Sequence, residues 1–145
     1  MNGFMQIAFE QAEAAARRGE VPVGAVLVKD GAVLAADGNR VEEWRDPTAH
    51  AEMLVIRAAA RRGSGRLEGC DLYVTLEPCP MCAAAIALAR LRRVYFGAYD
   101  PKGGGVEHGA KVFDHSTCHH RPDIFGGIDE SRAAELLRAF FQQRR

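Results

Sequence analysis

The segment DLYVTLEPCPMC at residues 71–82 joins an apolar strand to the start of a helix through a single turn. Residues 71–75 are predicted to form a buried strand that runs straight into the Pro-Cys turn. Pro80 then suits the first position of a helix, where the N–H that proline lacks would have no partner. That helix is expected over about residues 80–90, and residues 93–97 are predicted to form the next strand. Strands separated by a helix need a crossover connection, so this unit indicates a partly parallel sheet.

The rest of the chain predicts further helices and strands on both sides of this unit. Apolar residues recur at helical spacing near the N-terminus, and apolar runs bounded by Asp, Gly and Pro mark strands and turns. Ser131 is expected to cap the C-terminal helix, whose apolar side is formed by the leucines and phenylalanines of residues 136–141. The other predicted elements are a helix ending at Gly19, a strand at residues 21–28, a turn at Asp30-Gly31, a strand at 32–36, a helix at about 49–62 opened by residues 46–48, and a strand at 123–128.

The predicted strand at residues 21–28 is apolar on both faces. Its odd-numbered residues, from Val21 to Leu27, would point to one face, and Val26 and Val28 to the other. Burial on both faces is typical of a central strand with helices on both sides. We therefore expect an α/β fold of three layers, α/β/α, in which helices flank a central mixed sheet of five strands.

Length and composition are those of one ordinary globular domain. At 145 residues the chain is long enough to bury a core without help from disulfides or a structural metal. It is 48% hydrophobic and 26% charged, and no apolar run approaches the roughly 20 residues that a membrane helix requires. The N-terminus lacks the basic and apolar stretches of an export signal. We therefore expect a single domain over residues 1–145, located in the cytoplasm.

The cysteines and the arginines each allow two interpretations. The chain has four cysteines, and a C-x-x-C pair without an export signal favours metal binding in a reducing compartment over disulfides. The net charge is zero, but arginines cluster at Arg17-Arg18, Arg61-Arg62, residues 90–93 and Arg144-Arg145. These clusters fit a nucleic-acid surface. They also fall near the C-terminal ends of predicted helices, where the helix dipole favours cations, so composition alone leaves nucleic-acid binding open.

Two motifs, HAE and, further along the chain, PCPMC, supply the side chains of a catalytic zinc site. A structural zinc site is closed by four protein ligands, whereas a catalytic site keeps three and leaves a position for water. His50, Cys79 and Cys82 are the three candidate ligands, and Glu52 remains to move protons. The combination of H-x-E and P-C-x-x-C matches a known signature of the zinc nucleobase deaminases.

Both halves of the candidate site are expected at helix N-termini. Cys79 and Cys82 stand three residues apart on a first helical turn, so both sulfurs can reach one ion, and a helix N-terminus lowers thiol pKa. His50 and Glu52 would not face each other across a helix, so the pair works only where both lie at its first turn. Each residue alone has a plainer interpretation: a structural histidine, an acid favoured by the helix dipole, or a redox or structural C-x-x-C pair.

A second group of potential ligands lies towards the C-terminus, but its spacing does not indicate a metal site. Adjacent histidines seldom bind one ion together, and no geometry of a carboxylate with a metal-bound water is evident. A further cysteine, Cys70, is expected to be a small buried core residue. The members of the group are His108, His115, Cys118, His119 and His120.

The stretches DPTAHAE at residues 46–52 and TLEPCPMCA at residues 75–83 resemble the bacterial tRNA-specific adenosine deaminases of the cytidine/deoxycytidylate deaminase superfamily. The resemblance covers nearly the whole chain, including VPVGAV at residues 21–26, GNR at 38–40, GAYDPKG at 97–103 and the closing FFQQRR. It implies a cytidine-deaminase-like fold and the hydrolysis of adenosine to inosine at the wobble position of a tRNA anticodon. It also implies one zinc ion per subunit, a homodimer, and the tRNA anticodon stem-loop as partner.

The resemblance implies a role for each matching residue. His50, Cys79 and Cys82 would bind zinc. Glu52 would shuttle protons, and Asn39 would hydrogen-bond the flipped base. The residues that fall where the family contacts the anticodon loop are Asp100, Lys102, His119 or His120, Phe141 and Arg145.

Two other functions remain open from the sequence. A deaminase of a free base or nucleoside, such as guanine or cytosine, would share the fold, and Pro80 after the first cysteine also occurs in guanine deaminases. The YDPK loop at residues 99–102 and the aromatic and basic C-terminus are instead typical of nucleic-acid contacts. A noncatalytic binding module stabilised by zinc is disfavoured by Glu52 and by the missing fourth ligand.

Overall fold

The structure is a computed structural model and describes residues 2–144. These residues form a five-stranded sheet with helices packed on both faces, which confirms the predicted three-layer α/β/α fold. No helix within them is both long enough and apolar enough to cross a membrane. The helices are α1 (Asn2–Arg17), α2 (Val41–Trp44), α3 (Ala51–Ala60), α4 (Pro80–Ala89) and α5 (Glu130–Gln143). The strands are β1 (Gly24–Lys29), β2 (Ala32–Gly38), β3 (Cys70–Leu76), β4 (Arg93–Ala98) and β5 (Asp123–Phe125), and Val112–Asp114 form a short 3-10 helix.

The sheet is mixed, as predicted. Its strand order is β2-β1-β3-β4-β5. Strand β1 pairs antiparallel with both β2 and β3, whereas β3, β4 and β5 run parallel. Helix α4 makes the crossover from β3 to β4. The carboxyl ends of β3 and β4 therefore lie side by side, and this is the edge of an α/β sheet where ligands commonly bind.

Two apolar cores lie on opposite faces of the sheet. The first packs α3 and α4 against Val23 and Leu27, and the second packs α1 and α5 against Val26 and Val28. This alternation is the one predicted for residues 23–28, but the prediction is wrong for Val21, which lies before β1 and is exposed. Cys70 is buried in the first core, as expected. Helices α3 and α4 thus share one face of the sheet, and their N-termini carry the predicted zinc ligands.

Helix α1 lies directly on strand β1 because Gly24 has no side chain to separate them. A Cβ atom at Gly24 would lie 2.0 Å from Ala8 O and 2.4 Å from Ala12 N. Both distances are far inside van der Waals contact, so only glycine allows this approach. The contact places the second core directly beneath the start of β1.

Three strand boundaries differ from the prediction by two or more residues: strand β2 extends to Gly38 instead of ending at residue 36, and β1 and β5 are shorter than expected. Strand β1 begins at Gly24, three residues later than expected, because its antiparallel partner β2 ends opposite it at Gly38. Strand β5 ends at Phe125 and does not reach Ile128. The glycines at residues 126–127 turn the chain away from the sheet there. The hairpin turn itself is confirmed.

Two helix starts also differ from the prediction. Helix α3 begins at Ala51 because residues 46–48 form a turn, in which Asp46 Oδ1 accepts the N–H of Thr48 at 2.8 Å. The expected cap Ser131 is wrong: α5 begins at Glu130, after Asp129 in a left-handed conformation, and the serine lies inside the helix. The chain enters α5 from a glycine turn, so the turn and not the serine sets the helix start.

The close contact between α1 and β1 leads to a stability prediction. Gly24→Ala places a methyl group where backbone atoms of α1 lie, so we expect the free energy of unfolding to fall by about 1–3 kcal/mol, as in overpacked cores. Gly63→Ala is the matched control, since nothing lies within 4 Å of an added Cβ at that position. Urea unfolding followed by circular dichroism compares the two variants. Equal stabilities would show that α1 does not need the glycine.

Candidate active site

The two halves of the predicted zinc site come together where α3 and α4 begin. His50 is the N-cap residue of α3 and Cys79 is the N-cap residue of α4, each with an extended backbone. Pro80 opens α4 as predicted, and Cys82 lies in the same first turn. In the described structure neither N-cap side chain caps a backbone N–H group of its own helix, so both side chains are available to a ligand. The prediction that both half-sites sit at helix N-termini is confirmed.

The donor atoms of these residues have the spacing of a tetrahedral metal site. His50 Nδ1 lies 3.6 Å from Cys79 Sγ and 3.6 Å from Cys82 Sγ, and the three atoms lie within 4.8 Å of one another. Bond lengths of about 2.3 Å to sulfur and about 2.05 Å to nitrogen, at tetrahedral angles, separate nitrogen from sulfur by about 3.6 Å. The donor set and its spacing therefore fit one zinc ion.

The electrostatics of the cluster favour a thiolate beside an imidazole. The hydrogen bond from Cys82 lowers the pKa of the Cys79 thiol to about 4, and this outweighs the opposing effect of burial. The same hydrogen bond, followed by burial, raises the pKa of Cys82. The bond to Cys79 raises the pKa of His50. Negative charge thus concentrates on sulfur at the point where the donor atoms converge, which suits a divalent cation.

Glu52 lies in the first turn of α3, two residues after His50. This start of the helix meets the condition that allows the two side chains to serve one site. Glu52 is only 4% exposed, and burial raises the pKa of its carboxyl group to about 7. A carboxyl group with a pKa near neutrality can both accept and donate a proton.

A cavity of about 730 Å³ opens over the cluster. His50, Glu52 and Cys79 line it, and Cys82 is fully buried. Helix α2 and the C-terminal helix α5 supply further walls. The predicted substrate residues that line this cavity are Asn39, Asp100 and Phe141.

Asn39 links the cavity to the start of α3. Its Oδ1 accepts the N–H of Ala51 at 2.8 Å, which satisfies one of the free donors of that helix. Its own backbone carbonyl accepts a hydrogen bond from Arg18 Nη2 at 3.0 Å. Because the side-chain oxygen is occupied, the amide nitrogen is the group that can donate to a ligand in the cavity.

The loop after β4 carries two of the predicted RNA contacts. Asp100 Oδ1 accepts the N–H of Lys102 at 3.2 Å and the N–H of Gly103 at 2.9 Å, so the aspartate organises its own turn. Lys102 is exposed, next to residues that line the cavity. The loop therefore presents a cation near the cavity while the aspartate holds its conformation.

The C-terminal helix forms an aromatic and basic rim. Phe141 is 50% exposed at the edge of the cavity, so it does not belong to the apolar core side of α5 as the sequence suggested. Phe140 is buried and contacts it edge to face. Arg144, which the sequence indicated only as a member of an arginine cluster, also lines the cavity, with its guanidinium 4.1 Å from the Phe140 ring centroid. Arg145 lies outside the described residues.

The structure places His119 and His120 at a different cavity, of about 480 Å³, which is bordered by the exposed side of α4. His120 Nε2 contacts Leu91 O at 2.6 Å, and Cys118 Sγ donates to the carbonyl of His120. These contacts with backbone carbonyls occupy the thiol of Cys118 and the ring Nε2 of His120, which would otherwise be available as metal ligands. Within residues 2–144, the zinc cluster described above is the only group of three or more His, Cys, Asp or Glu side chains with suitable spacing.

Glu77 is the site residue that the sequence analysis missed. Its carboxylate accepts the N–H groups of Asp100, Val106, Glu107 and His108, together with the ring Nδ1 of His108. Burial acts to raise the pKa of Glu77, but these hydrogen bonds outweigh it and the pKa is lowered. The sequence does contain a signal for this role, because an acid at the end of a buried strand, directly before the Pro-Cys turn, is expected to need buried hydrogen-bond donors.

A second buried acid, Glu20, explains the short helix that the sequence did not predict. Glu20 is 1% exposed, and its two carboxylate oxygens accept the N–H groups of Glu42 at 3.0 Å and Glu43 at 2.8 Å. These donors belong to the first turn of α2, whose Val41 and Glu42 line the active-site cavity. One wall of the cavity is thus anchored by a side chain from a distant part of the chain.

Comparison with known proteins finds the zinc-binding region of cytidine and deoxycytidylate deaminases in residues 1–98. The tRNA-specific adenosine deaminase of Agrobacterium fabrum is 58% identical over 143 residues, which cover 98% of this chain and 94% of that protein. A structure from studies of A-to-I editing by tRNA:A34 deaminases at the wobble position of transfer RNA matches with a TM-score of 0.91 and 57% identity, covering 94% of this chain and 100% of that chain. The guanine deaminase of Bacillus subtilis matches at 42% identity with a TM-score of 0.64, covering 68% of this chain and 64% of that chain.

The donor cluster predicts how the protein loses its metal. We expect about one zinc ion per chain in elemental analysis after dialysis, and loss of that zinc in His50→Ala, Cys79→Ala and Cys82→Ala. The unfolding temperature should also fall, because metal binding is coupled to folding. Cys118→Ala is the matched control, since its thiol bonds a backbone carbonyl outside the cluster. Full zinc retention in all three ligand variants would refute the assignment.

Proposed function

The chain belongs to the zinc-binding cytidine and deoxycytidylate deaminase family, and on that premise we propose that it hydrolyses adenosine to inosine at the wobble position of a tRNA anticodon. One observation carries this proposal: a His-Cys-Cys cluster and a buried carboxyl group share one cavity, in a chain that matches a tRNA-specific adenosine deaminase over 98% of its length. The reaction consumes water and releases ammonia.

The cofactor of the family is zinc, and His50, Cys79 and Cys82 are the proposed ligands. When bound, the ion supplies a Lewis acid that brings the deprotonation of water near neutral pH. Two thiolates and a neutral imidazole balance its charge. Three protein ligands leave one coordination position open, as catalytic sites require.

Glu52 is the proposed proton carrier. Replacing the amino group on C6 of adenine by oxygen moves both protons of the attacking water, one to N1 of the base and one to the departing amino nitrogen. The Glu52 carboxylate can pass on each of them in turn, so that nitrogen leaves as ammonia. Its burial next to His50 and Cys79 keeps both transfers within the cavity.

The proposed substrate is an adenosine that has left its stack in the anticodon loop. The cavity of about 730 Å³ has room for a flipped base, with the Asn39 amide as its proposed hydrogen-bond donor. Loop RNA is recognised through splayed bases, aromatic stacking and phosphate contacts. Phe141 offers an exposed ring for stacking. The remaining proposed contacts to the anticodon loop are Asp100, Lys102, His119, His120 and Arg145.

A free-base deaminase, acting on guanine or cytosine, is the alternative. The match to the guanine deaminase of Bacillus subtilis favours guanine within this class. That match covers 68% of this chain, whereas the tRNA:A34 deaminase match covers 94%. The aromatic and basic rim also favours RNA, since a free base needs only a closed pocket.

We also propose that the protein is a homodimer. Helix α4 carries small or apolar side chains on every side, and one of its faces covers the first core. Leu88 on its other face is 80% exposed, and Ala84 is exposed beside it. An exposed apolar helix face is commonly covered by a second copy related by two-fold symmetry. His119 and His120 border the same surface.

A single deaminase domain over residues 1–145, acting in the cytoplasm, completes the proposal. The five strands belong to one sheet, and every helix of eight or more residues packs on it through one of the two cores. Thiolate ligands persist in a reducing compartment. A tRNA substrate fits the same location.

Glu52→Gln should retain zinc and fold but lose most of its turnover. The amide keeps the size of the side chain and removes its proton exchange, and general acid–base groups contribute about 10²- to 10⁴-fold to rate. Inosine formation per zinc-loaded enzyme is the measurement, with elemental analysis and circular dichroism as controls on metal and fold. Turnover equal to that of the unmodified protein would remove Glu52 from the mechanism.

Light scattering at micromolar concentration should give a dimer mass. Leu88→Arg should shift that mass towards the monomer, because it places a charge in the middle of the proposed apolar interface. Val33→Arg is the matched control, since Val33 is 44% exposed on the edge strand β2, away from α4. A monomer mass for the unmodified protein would refute the dimer.

The substrate is tested by two reactions run with the same enzyme preparation. We expect inosine to form in an anticodon stem-loop, and little or no ammonia release from guanine, adenine or free adenosine. Activity at low RNA concentration should fall with added salt. Contacts between basic side chains and RNA phosphates release bound counterions, so a higher salt concentration weakens RNA binding. Efficient turnover of guanine with none of the stem-loop would overturn the tRNA substrate and leave the zinc chemistry intact.

A further inference from the structure

We propose that Glu77 is a positioning residue, whose buried carboxylate holds the loop over residues 100–108 against the Pro78-Cys79 turn and thereby sets the position of a metal ligand. The inference rests on the function proposed above and deepens it. Glu77 is assigned no contact with substrate or metal. It acts through the turn on Cys79 and through the loop on the cavity wall.

Both carboxylate oxygens of Glu77 are occupied by the loop. Oε1 accepts the N–H of Asp100 at 2.9 Å and a hydrogen bond from His108 Nδ1 at 2.8 Å. Oε2 accepts the N–H groups of Val106 at 3.2 Å, Glu107 at 2.8 Å and His108 at 3.0 Å. The side chain therefore bonds both ends of a loop that contains no strand or helix of its own.

The backbone on either side of Glu77 binds the same region. Its N–H donates to Ala98 O at 2.8 Å, at the end of β4. The carbonyl of the next residue, Pro78, accepts the N–H of Gly105 at 2.8 Å. Side chain and main chain thus tie the segment directly before Cys79 to the loop at several points. A shift of the loop would shift the turn that carries the ligand.

Two glycines allow the loop to come this close. A Cβ atom at Gly104 would lie 2.5 Å from Glu77 Oε2, and a Cβ atom at Gly105 would lie 2.5 Å from Pro80 N. Pro80 is the first residue of α4, so the loop packs on the start of the ligand-bearing helix itself. The close packing of the loop on the turn therefore depends on the missing side chains of Gly104 and Gly105 as well as on the Glu77 hydrogen bonds.

The arrangement requires a carboxylate and not an amide. Five N–H donors converge on two oxygens, and each oxygen of an ionised carboxylate is an acceptor only. A glutamine at this position would keep one oxygen and turn an NH₂ group towards N–H donors. The buried donors on that side would lose their partner, and an unpaired buried N–H group is unfavourable. The loop would then move away from the turn.

Loss of the Glu77 hydrogen bonds is predicted to affect both the metal site and the wall of the cavity. Cys79 is a proposed zinc ligand, and partners that orient metal ligands typically affect metal affinity by about 10- to 100-fold when they are replaced. Asp100 and Gly103 line the cavity at the start of the loop. Loss of the Glu77 contacts should therefore weaken metal retention and also raise KM for the anticodon stem-loop.

The experiment compares Glu77→Gln with Glu107→Gln, using the full chain loaded with zinc or with cobalt. Both variants make the same chemical change in the same region, but the Glu107 side chain is exposed. For Glu77→Gln we expect zinc loss to a chelator at least about tenfold faster and a changed cobalt absorption spectrum, with folding retained by circular dichroism. The Glu107→Gln protein should match the unmodified protein in both measurements.

The cobalt spectrum separates positioning from general stability. A role in stability alone would lower the unfolding temperature of Glu77→Gln and leave the spectrum of the folded protein unchanged, which would overturn the proposal. Should Glu77→Gln not fold, Gly104→Ala displaces the same carboxylate from the loop side, and the same spectral change is expected from it. Zinc retention and cobalt spectra are measured without RNA. Failure of this inference is therefore distinguishable from failure of the proposed deamination.

Discussion

The separation of 3.6 Å between His50 Nδ1 and each of the two thiol sulfurs is set by how two helices begin. Helices α3 and α4 cover the same face of the sheet, and each starts with a ligand at its N-cap position. An N-cap side chain normally bonds the free N–H groups of its own helix. Here those side chains face each other, and Asn39 bonds the N–H of Ala51 at the start of α3 instead. The metal site and the wall of the cavity are therefore one arrangement, and any change in the packing of the two helices would alter both.

Three buried acids around the proposed metal site have different surroundings and different roles. Glu20 and Glu77 both accept hydrogen bonds from backbone N–H groups. These bonds anchor α2 and the loop after β4. Glu52 lies beside two thiols, and burial raises its pKa to about 7. The hydrogen bonds to Glu77 lower the pKa of its carboxyl group, whereas Glu52, which lacks comparable N–H partners, has a raised pKa and can exchange protons. The surroundings of the three acids thus separate the two anchors from the proposed proton carrier.

The sequence predicted the parts of the fold and site that depend on neighbouring residues. The strand that runs into the Pro-Cys turn, the helix opened by Pro80 and the hairpin at Asp30-Gly31 all follow from local chemistry, and all are present. The helix α2, the true start of α5 and the role of Glu77 depend on contacts between distant segments. No periodicity in residues 41–44 reveals that Glu20, a buried acid three residues after the end of α1, holds them in a helix. The location of His119 and His120 away from the catalytic cavity is likewise set by tertiary packing.

The central claim is that this site hydrolyses an adenosine held in an RNA loop, and the fate of the oxygen atom tests it most directly. An anticodon stem-loop is incubated with the zinc-loaded protein in water enriched in the heavy oxygen isotope, and its nucleosides are analysed by mass spectrometry. The account predicts inosine at the wobble position carrying the heavy oxygen, with an equal amount of ammonia released. A wobble adenosine whose mass is unchanged, under conditions in which the protein retains its zinc, would contradict the account.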